Sequence, residues 1–329
     1  MRRREFITLL GGAAAWPLAA RAQQSAANVP IVTFINARRA DNGAVIGAEF
    51  RKGLSQTGLT EGKDVLVEYH WLDGHYENMP AILNDAIRRQ VAVIATPGNT
   101  PGSLAAKAAT STIPIVFGVS DDPVALGLVA NLAHPTGNVT GINFFASETD
   151  AKRLGLMHEL LPKAKRFAVL VNPGNRVTAD ATIKALNEAA PGLGLDLLVF
   201  KVSTPAEIDA AFAAMVDAQA DALFLAPDAF LTTRGPQLIT LAARARIPAS
   251  TFNSELATAG LLMSYGTSLA DVFRQVGVYT GSILKGTKPA DLPVLQSTKF
   301  EFTLNLQAAR TLGIDIPPTL LARADEVIE

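Results

Sequence analysis

Short apolar runs that do not alternate with polar residues recur along the chain. The clearest are Val91–Ala95 and Ile113–Phe117, each closed by a small polar turn. A run without alternation marks a strand covered on both faces. Both runs stop at a turn that opens a helix. Thr100 is placed to cap one helix with Pro101 at its first position, and Asp122 to cap another with Pro123 there. Strand, turn and helix in this order predict parallel strands whose carboxyl ends line up along one sheet edge, where open α/β sheets bind ligands. The helix-start amides of Gly102 and Ser103 would face that crevice and suit an anionic group.

The pattern is used twice. Gln90–Pro97 is matched by Gln219–Pro227, Ala108–Ile115 by Ala242–Ala249, and the apolar run ending at Asn36 by the run ending at Asn172. Three matches in the same order imply two similar α/β lobes, each with a crevice edge, and a ligand between them. Further strands are predicted at Ile31–Ile35, Val65–Trp71, Phe167–Val171, Leu195–Val202, Ala222–Ala226 and Pro248–Phe252. Helices are predicted over Ala44–Gln56, Tyr76–Arg89, Val124–Leu132, Ser147–Leu161, Val177–Ala190, Pro236–Ala245, Ser268–Lys285 and Leu306–Leu312. Thr204, Pro205 and Glu207 spell a capping box at the start of another. Crossings between the lobes are expected at Asn138–Phe145, at Gly260–Gly266 and along the strand Lys299–Leu304.

Composition narrows the class. A chain of 329 residues, 49% hydrophobic and 18% charged, suits two globular domains that each bury a core. A net charge near zero gives no reason to expect nucleic acid or an anionic membrane surface as partner. The absence of cysteine removes disulfides, thiolate catalysis and cysteine-based metal sites. The four histidines (His70, His75, His134 and His158) show no metal-ligand spacing beyond the five-residue gap of the first pair and read as surface or capping residues, and no metal or cofactor is expected.

Met1–Ala22 reads as an export signal. It has a basic start, a short broken apolar stretch and a small-x-small cleavage site ending at Ala22. Arg3–Ile7 has the look of a twin-arginine signal. Its removal leaves 25 basic and 29 acidic residues, a net charge of −4. With no cysteine at the cleavage site, the expectation is a periplasmic protein without a lipid anchor.

Catalytic and cofactor fingerprints are missing: there is no G-x-S-x-G, no Walker A loop and no G-x-G-x-x-G after the first strand. The chain therefore reads as a binder rather than an enzyme. Polar residues at the predicted strand ends are Asn36, Thr96, Asn99, Thr100, Ser120, Asp121, Asp122, Asn172, Asn175, Asp228, Asn253 and Glu255. Thr100 and Asp122 also suit helix capping, and Asn172 and Asn175 suit a Pro-Gly turn. Asp121, Asp228 and above all Glu255 are the acids expected to meet a ligand. Phe144 and Tyr265 lie in the expected crossings, where a ring either walls a ligand or packs a hinge. A helix N-terminus contributes only about 0.3–1 kcal/mol to an exposed anion, against about 8 kcal/mol for micromolar affinity. Enclosure between closing lobes must supply the rest.

Longer stretches resemble a known family. They are the segment from Gly58 to Trp71, the core from Ala105 to Ala130, His134–Gly141, Gly260–Tyr279 and the end from Leu320 to Glu329. Together with the leader, these resemble the ABC-transporter substrate-binding proteins of the tryptophan/tyrosine-binding-like family across essentially the whole chain. The resemblance implies a type I periplasmic-binding-protein fold, with two Rossmann-like lobes joined by a three-crossover hinge. The first lobe would comprise residues 29–143 and 267–297, the second 144–266 and 298–329. It places the crevice on Asn36, Thr96–Thr100 (with Gly98 and Asn99) and Ser120–Asp122 in the first lobe. In the second it falls on Asn172–Asn175, Asp228 and Asn253–Glu255.

For an amino-acid ligand, the Gly98–Ser103 amides and hydroxyls would hold the carboxylate, and Asp228 or Glu255 the ammonium. Arg38 and Arg39 could instead favour an acidic or aromatic-acid solute. The implied protein is a monomeric periplasmic receptor that delivers a small solute to an inner-membrane ABC permease. An exported sensory receptor and an exported Rossmann-like enzyme are the alternatives. A sugar-repressor-like regulator would need a DNA-binding head where this chain has its leader.

Overall fold

The computed structural model describes residues 29–329, and of residues 146–148 the backbone alone. The expected export segment Met1–Ala22 lies outside the described residues.

Two sheets form with the same winding. The first holds β1 (Ile31–Asn36), β2 (Leu66–Trp71), β3 (Val93–Pro97), β4 (Ile115–Val119) and β5 (Val139–Asn143), in the order β2-β1-β3-β4-β5 and all parallel. The second repeats it with β6 (Arg166–Val171), β7 (Asp196–Lys201), β8 (Ala222–Leu225), β9 (Ala249–Thr251) and β10 (Met263–Thr267), in the order β7-β6-β8-β9-β10. Late strands are added at the edges. β11 (Leu295–Gln296) joins β5, while β12 (Phe300–Asn305) runs antiparallel to β10 and carries β13 (Glu326–Ile328). The chain thus passes between sheets three times, after β5, after β10 and after β11.

Helices cover both faces of each sheet, and the strands therefore alternate between two apolar layers. In β1, Val32 and Phe34 join one core cluster and Ile35 the other. In β6, Phe167, Val169 and Val171 face one side, and Ala168 and Leu170 the other. The first lobe carries α1 (Ala40–Gln56), α2 (Met79–Arg88) and α3 (Thr100–Ala109). The second carries α4 (Ala146–Leu160), α5 (Arg176–Leu193), α6 (Pro205–Asp217), α7 (Ala229–Thr233), α8 (Gly235–Ala245) and α9 (Ser254–Thr258). α10 (Leu269–Leu284) returns to the first lobe and packs on α1, and α11 (Leu306–Leu312) and α12 (Pro318–Leu321) close the chain. The capping box of α6 is present, with Glu207 N donating to Thr204 Oγ1 at 3.3 Å and the Glu207 carboxylate accepting from Thr204 N at 3.2 Å.

The internal repeat extends to the backbone. Gln90 and Gln219, at matching positions, both take the left-handed conformation with φ of 51° and 54°. Asn36 and Asn172 both accept a hydrogen bond from the amide two residues on, Arg38 N and Gly174 N, each at 2.9 Å.

Several expectations are corrected. No helix covers Val124–Leu132. Asp122 Oδ1 accepts from Val124 N at 2.8 Å, but Gly127 turns left-handed (φ 69°) and the segment becomes successive turns. Thr100 does not cap α3. Asn99 does, accepting from Gly102 N at 2.9 Å, and Thr100 is the first helical residue. Asn138–Phe145, Gly260–Gly266 and Lys299–Leu304 are not themselves crossings, since most of each is strand (β5, β10, β12); the chain changes lobe just after the first two and just before the third. Val91 and Ile113 precede their strands by two residues and are buried there as lead-in packing.

Candidate functional site

The carboxyl ends of both sheets face each other across a narrow cavity. From the first lobe, Asn36, Arg38, Gly98, Thr100 and Ser120 line it, and from the second Asn175, Pro227, Asp228, Ala229, Thr232 and Phe252. Phe144 at the first crossing and Leu269 and Phe273 of α10 complete the wall. These rings belong to the first-lobe core, and Phe252 of the second lobe packs against the same cluster.

Each polar wall is built by its strand tips. Asn36 Nδ2 donates to Pro97 O at 2.6 Å and so ties the end of β1 to the end of β3. Gly98 follows with φ of 63°, and a Cβ there would meet Phe273 Cζ at 3.2 Å, so glycine suits both the backbone and the ring beside it. Thr96 lies beneath the loop, its hydroxyl 2.8 Å from Ser103 Oγ. In the second lobe the end of β8 is fixed from below by Arg153, whose side chain is fully buried. Its Nη2 donates to Leu225 O at 2.9 Å and to Asp150 Oδ1 at 3.0 Å, and its guanidinium lies 3.8 Å from the Phe224 ring centroid.

Asp228 is the centre of the second wall. It caps α7 by accepting from Leu231 N at 3.0 Å, and it accepts from Asn172 Nδ2 at 3.1 Å and Asn175 Nδ2 at 3.3 Å. Asn253 Nδ2 donates to Thr232 Oγ1 at 3.1 Å, and that hydroxyl donates to Asp228 O at 2.9 Å. Burial pushes the Asp228 carboxyl above the usual carboxylate range, and the amides that donate to it only partly offset this. Beside it, Asn175 Oδ1 is buried with no hydrogen-bond partner among the described residues. Two acceptors thus sit together at a water-poor wall, the arrangement that suits an ammonium group.

The opposite wall is cationic. Arg38 is 3% exposed and uses Nη1 on Glu255, at 2.8 and 3.1 Å from its two carboxylate oxygens. Among the described residues no partner is recorded for Arg38 Nε or Nη2, and the side chain borders the cavity. A guanidinium presents its donors in a fork that fits a carboxylate.

The sequence-chosen residues therefore divide. Asn36, Gly98, Thr100, Ser120, Asn175 and Asp228 line the cavity. Asn99, Asn172 and Asn253 stand behind it as caps and props. Asp121 is on the seam between lobes, where Thr178 Oγ1 of α5 donates to its Oδ2 at 2.8 Å. Two expectations fail. The amides of Gly102 and Ser103 are already spent on Asn99, at 2.9 Å each, and cannot hold an anion. Glu255 lies outside the cavity, 42% exposed, as the partner of Arg38. Tyr265 is not a wall either, since it stacks on Phe300 at 6.3 Å. Sequence reasoning missed Phe252, Leu269 and Phe273. Phe252 was findable as the residue before a strand-tip asparagine, whereas the helix of Phe273 carries no such marker.

Known proteins share this architecture. A tyrosine-binding protein of Clostridioides difficile (strain R20291) is 25% identical over 265 residues, covering 80% of this chain and 75% of that protein. A crystal structure of a conserved domain protein from Vibrio cholerae superposes with a TM-score of 0.83 at 26% identity, over 91% of this chain and 99% of that one. The ABC domain of Streptococcus pneumoniae in complex with L-Trp gives 0.82 at 22% identity, with the same coverage of 91% and 99%. The shared architecture is the type I periplasmic-binding-protein fold. The family described as "ABC transporter substrate binding protein" matches residues 29–328, and this chain belongs to it.

Proposed function

We propose that the protein is the periplasmic receptor of an ABC importer, and that it carries a small amino acid with an aromatic side chain to its membrane permease. One observation carries the reading: the cavity between the lobes has a guanidinium (Arg38) on one wall and a buried carboxylate (Asp228) on the other. An α-amino acid is complementary to that pair. Its carboxylate meets Arg38 Nη2 and the Thr100 hydroxyl, and its ammonium meets Asp228 and Asn175 Oδ1. Its side chain lies among Phe144, Phe252 and Phe273, where edge and stacked ring contacts add about 0.5–1.5 kcal/mol each.

Relatives support the class of solute, since one is named for tyrosine and another was crystallised with L-Trp. The leader motif supports export, and membership of an ABC-transporter family supports delivery to a permease. The protein works as a monomer without a cofactor in this reading.

The test is a thermal-shift screen of chain 29–329 against the twenty amino acids, aromatic acids, nucleosides and sugars. A ligand at 100 times its dissociation constant stabilises by about 2.7 kcal/mol. Tyrosine, tryptophan or phenylalanine should give the largest shifts. A screen in which sugars or nucleosides shift the transition and aromatic amino acids do not would contradict the proposal.

A further inference from the structure

Arg38 is held from outside as well as facing inward. Its Nη1 bonds both oxygens of Glu255, which stands on α9 of the other lobe, 217 positions away in sequence. Arg38 is 3% exposed and lines the cavity, whereas Glu255 is 42% exposed and borders an outer hollow shared with Arg39, Asp41 and Arg234. A second pair, Arg234 Nη2 to Asp73 Oδ1 at 3.1 Å, also spans the lobes and closes the same side. One guanidinium therefore serves two masters: a fixed carboxylate at the mouth and whatever anion enters the cavity.

From this we infer that Glu255 sets the charge of the solute the cleft accepts, and that it acts as a latch on lobe opening. The selectivity half rests on the reading of the cavity as an amino-acid site. Glu255, partly solvated and bonded only to Nη1, offsets part of the charge of Arg38, which leaves the negative charge of Asp228 in excess. A solute bearing an ammonium and one carboxylate is then matched, and a purely anionic solute is rejected by Asp228 without full compensation from Arg38. The latch half needs only the geometry. The cavity is walled by both lobes, so a solute passes only when they part, and parting separates Arg38 from Glu255. Because Glu255 is partly solvated, its contribution is moderate and sensitive to salt.

The experiment compares the wild-type sequence of residues 29–329 with Glu255→Gln, which keeps the shape and removes the charge. L-tyrosine, tyramine and 4-hydroxyphenylacetate present the same ring as zwitterion, cation and anion, and calorimetric titration of each gives a set of affinities. Because the chain has no cysteine, spin labels can be placed cleanly at Val45 and Val216, exposed positions on the two lobes, to measure the distance between them without added solute.

In Glu255→Gln the affinity for 4-hydroxyphenylacetate relative to tyramine should rise about tenfold. The distance distribution should move toward longer separations. Where the compounds bind, an unchanged ratio overturns the charge selection, and an unchanged distance distribution overturns the latch. Where the wild type binds none of the three, the aromatic reading of the site fails, and the distances decide the role of Glu255. A shift then supports the latch, and an unchanged distribution removes it.

Discussion

Asp228 accepts three hydrogen bonds from its own lobe and is 5% exposed, so a ligand ammonium would replace water it hardly has. Breaking a buried, hydrogen-bonded charge pair at an interface typically costs about 2–5 kcal/mol. Asp228→Asn keeps the α7 cap and the size of the side chain but loses the charge. It should weaken L-tyrosine binding about 100-fold in calorimetric titration, with the unfolding transition little changed. Binding within threefold of wild type would move the ammonium elsewhere.

Much of this wall was readable. Asp228, Asn172 and Asn175 stand at strand tips in a turn the chain uses twice, and the tips of parallel strands are where such sheets bind. The Arg38–Glu255 pair was not readable, because it depends on how two separately folded lobes meet. Glu255 reads as a ligand acid in sequence because an exposed and a cavity-facing carboxylate look alike there.

Two helix-level features carry their own tests. α1 and α10 touch through glycines. A Cβ on Gly53 would lie 1.9 Å from Arg274 O, and one on Gly277 would lie 2.1 Å from Phe50 O. The chain returns to the first lobe to make this contact, and α10 then presents Phe273 to the cavity. Gly277→Ala must push the helices apart, at a cost of about 1–3 kcal/mol as for other overpacked sites. Urea unfolding should show that loss, and an unchanged midpoint would mean the helices separate freely.

Beneath β8, burial raises the Asp150 carboxyl from 3.8 to about 6 despite Arg153 and the Thr182 hydroxyl, and the nearby Asp121 adds to the rise. The folded state then binds this proton more tightly than the unfolded chain. Stability from this group is present at low pH and is lost as pH rises through about 6. The thermal midpoint of the wild type should rise between pH 7 and pH 5 more than that of Asp150→Asn, and equal slopes would refute the assignment. Strand and helix periodicities were legible for most of these elements. The helix expected over Val124–Leu132 was lost to left-handed Gly127, a backbone choice that apolar spacing does not reveal.

The two sheets wind in the same order, and their matching tips meet across one cavity. That duplication could be read from three aligned matches, because each half must build the same strand, turn and helix. What the chain alone could not give was the seam, where Thr178 meets Asp121 and Phe252 packs against the core of the other lobe. A binding protein of this kind works through that seam, so ligand affinity and lobe closure are one equilibrium. The claim on which everything else depends is that an aromatic amino acid occupies the cavity between Arg38 and Asp228. A crystal structure grown with saturating L-tyrosine tests it most directly. The expected density has the ammonium on Asp228 and Asn175, the carboxylate on Arg38, and the ring between Phe252 and Phe273. Density for the amino acid on any other face, with this cavity free of it, would contradict the claim.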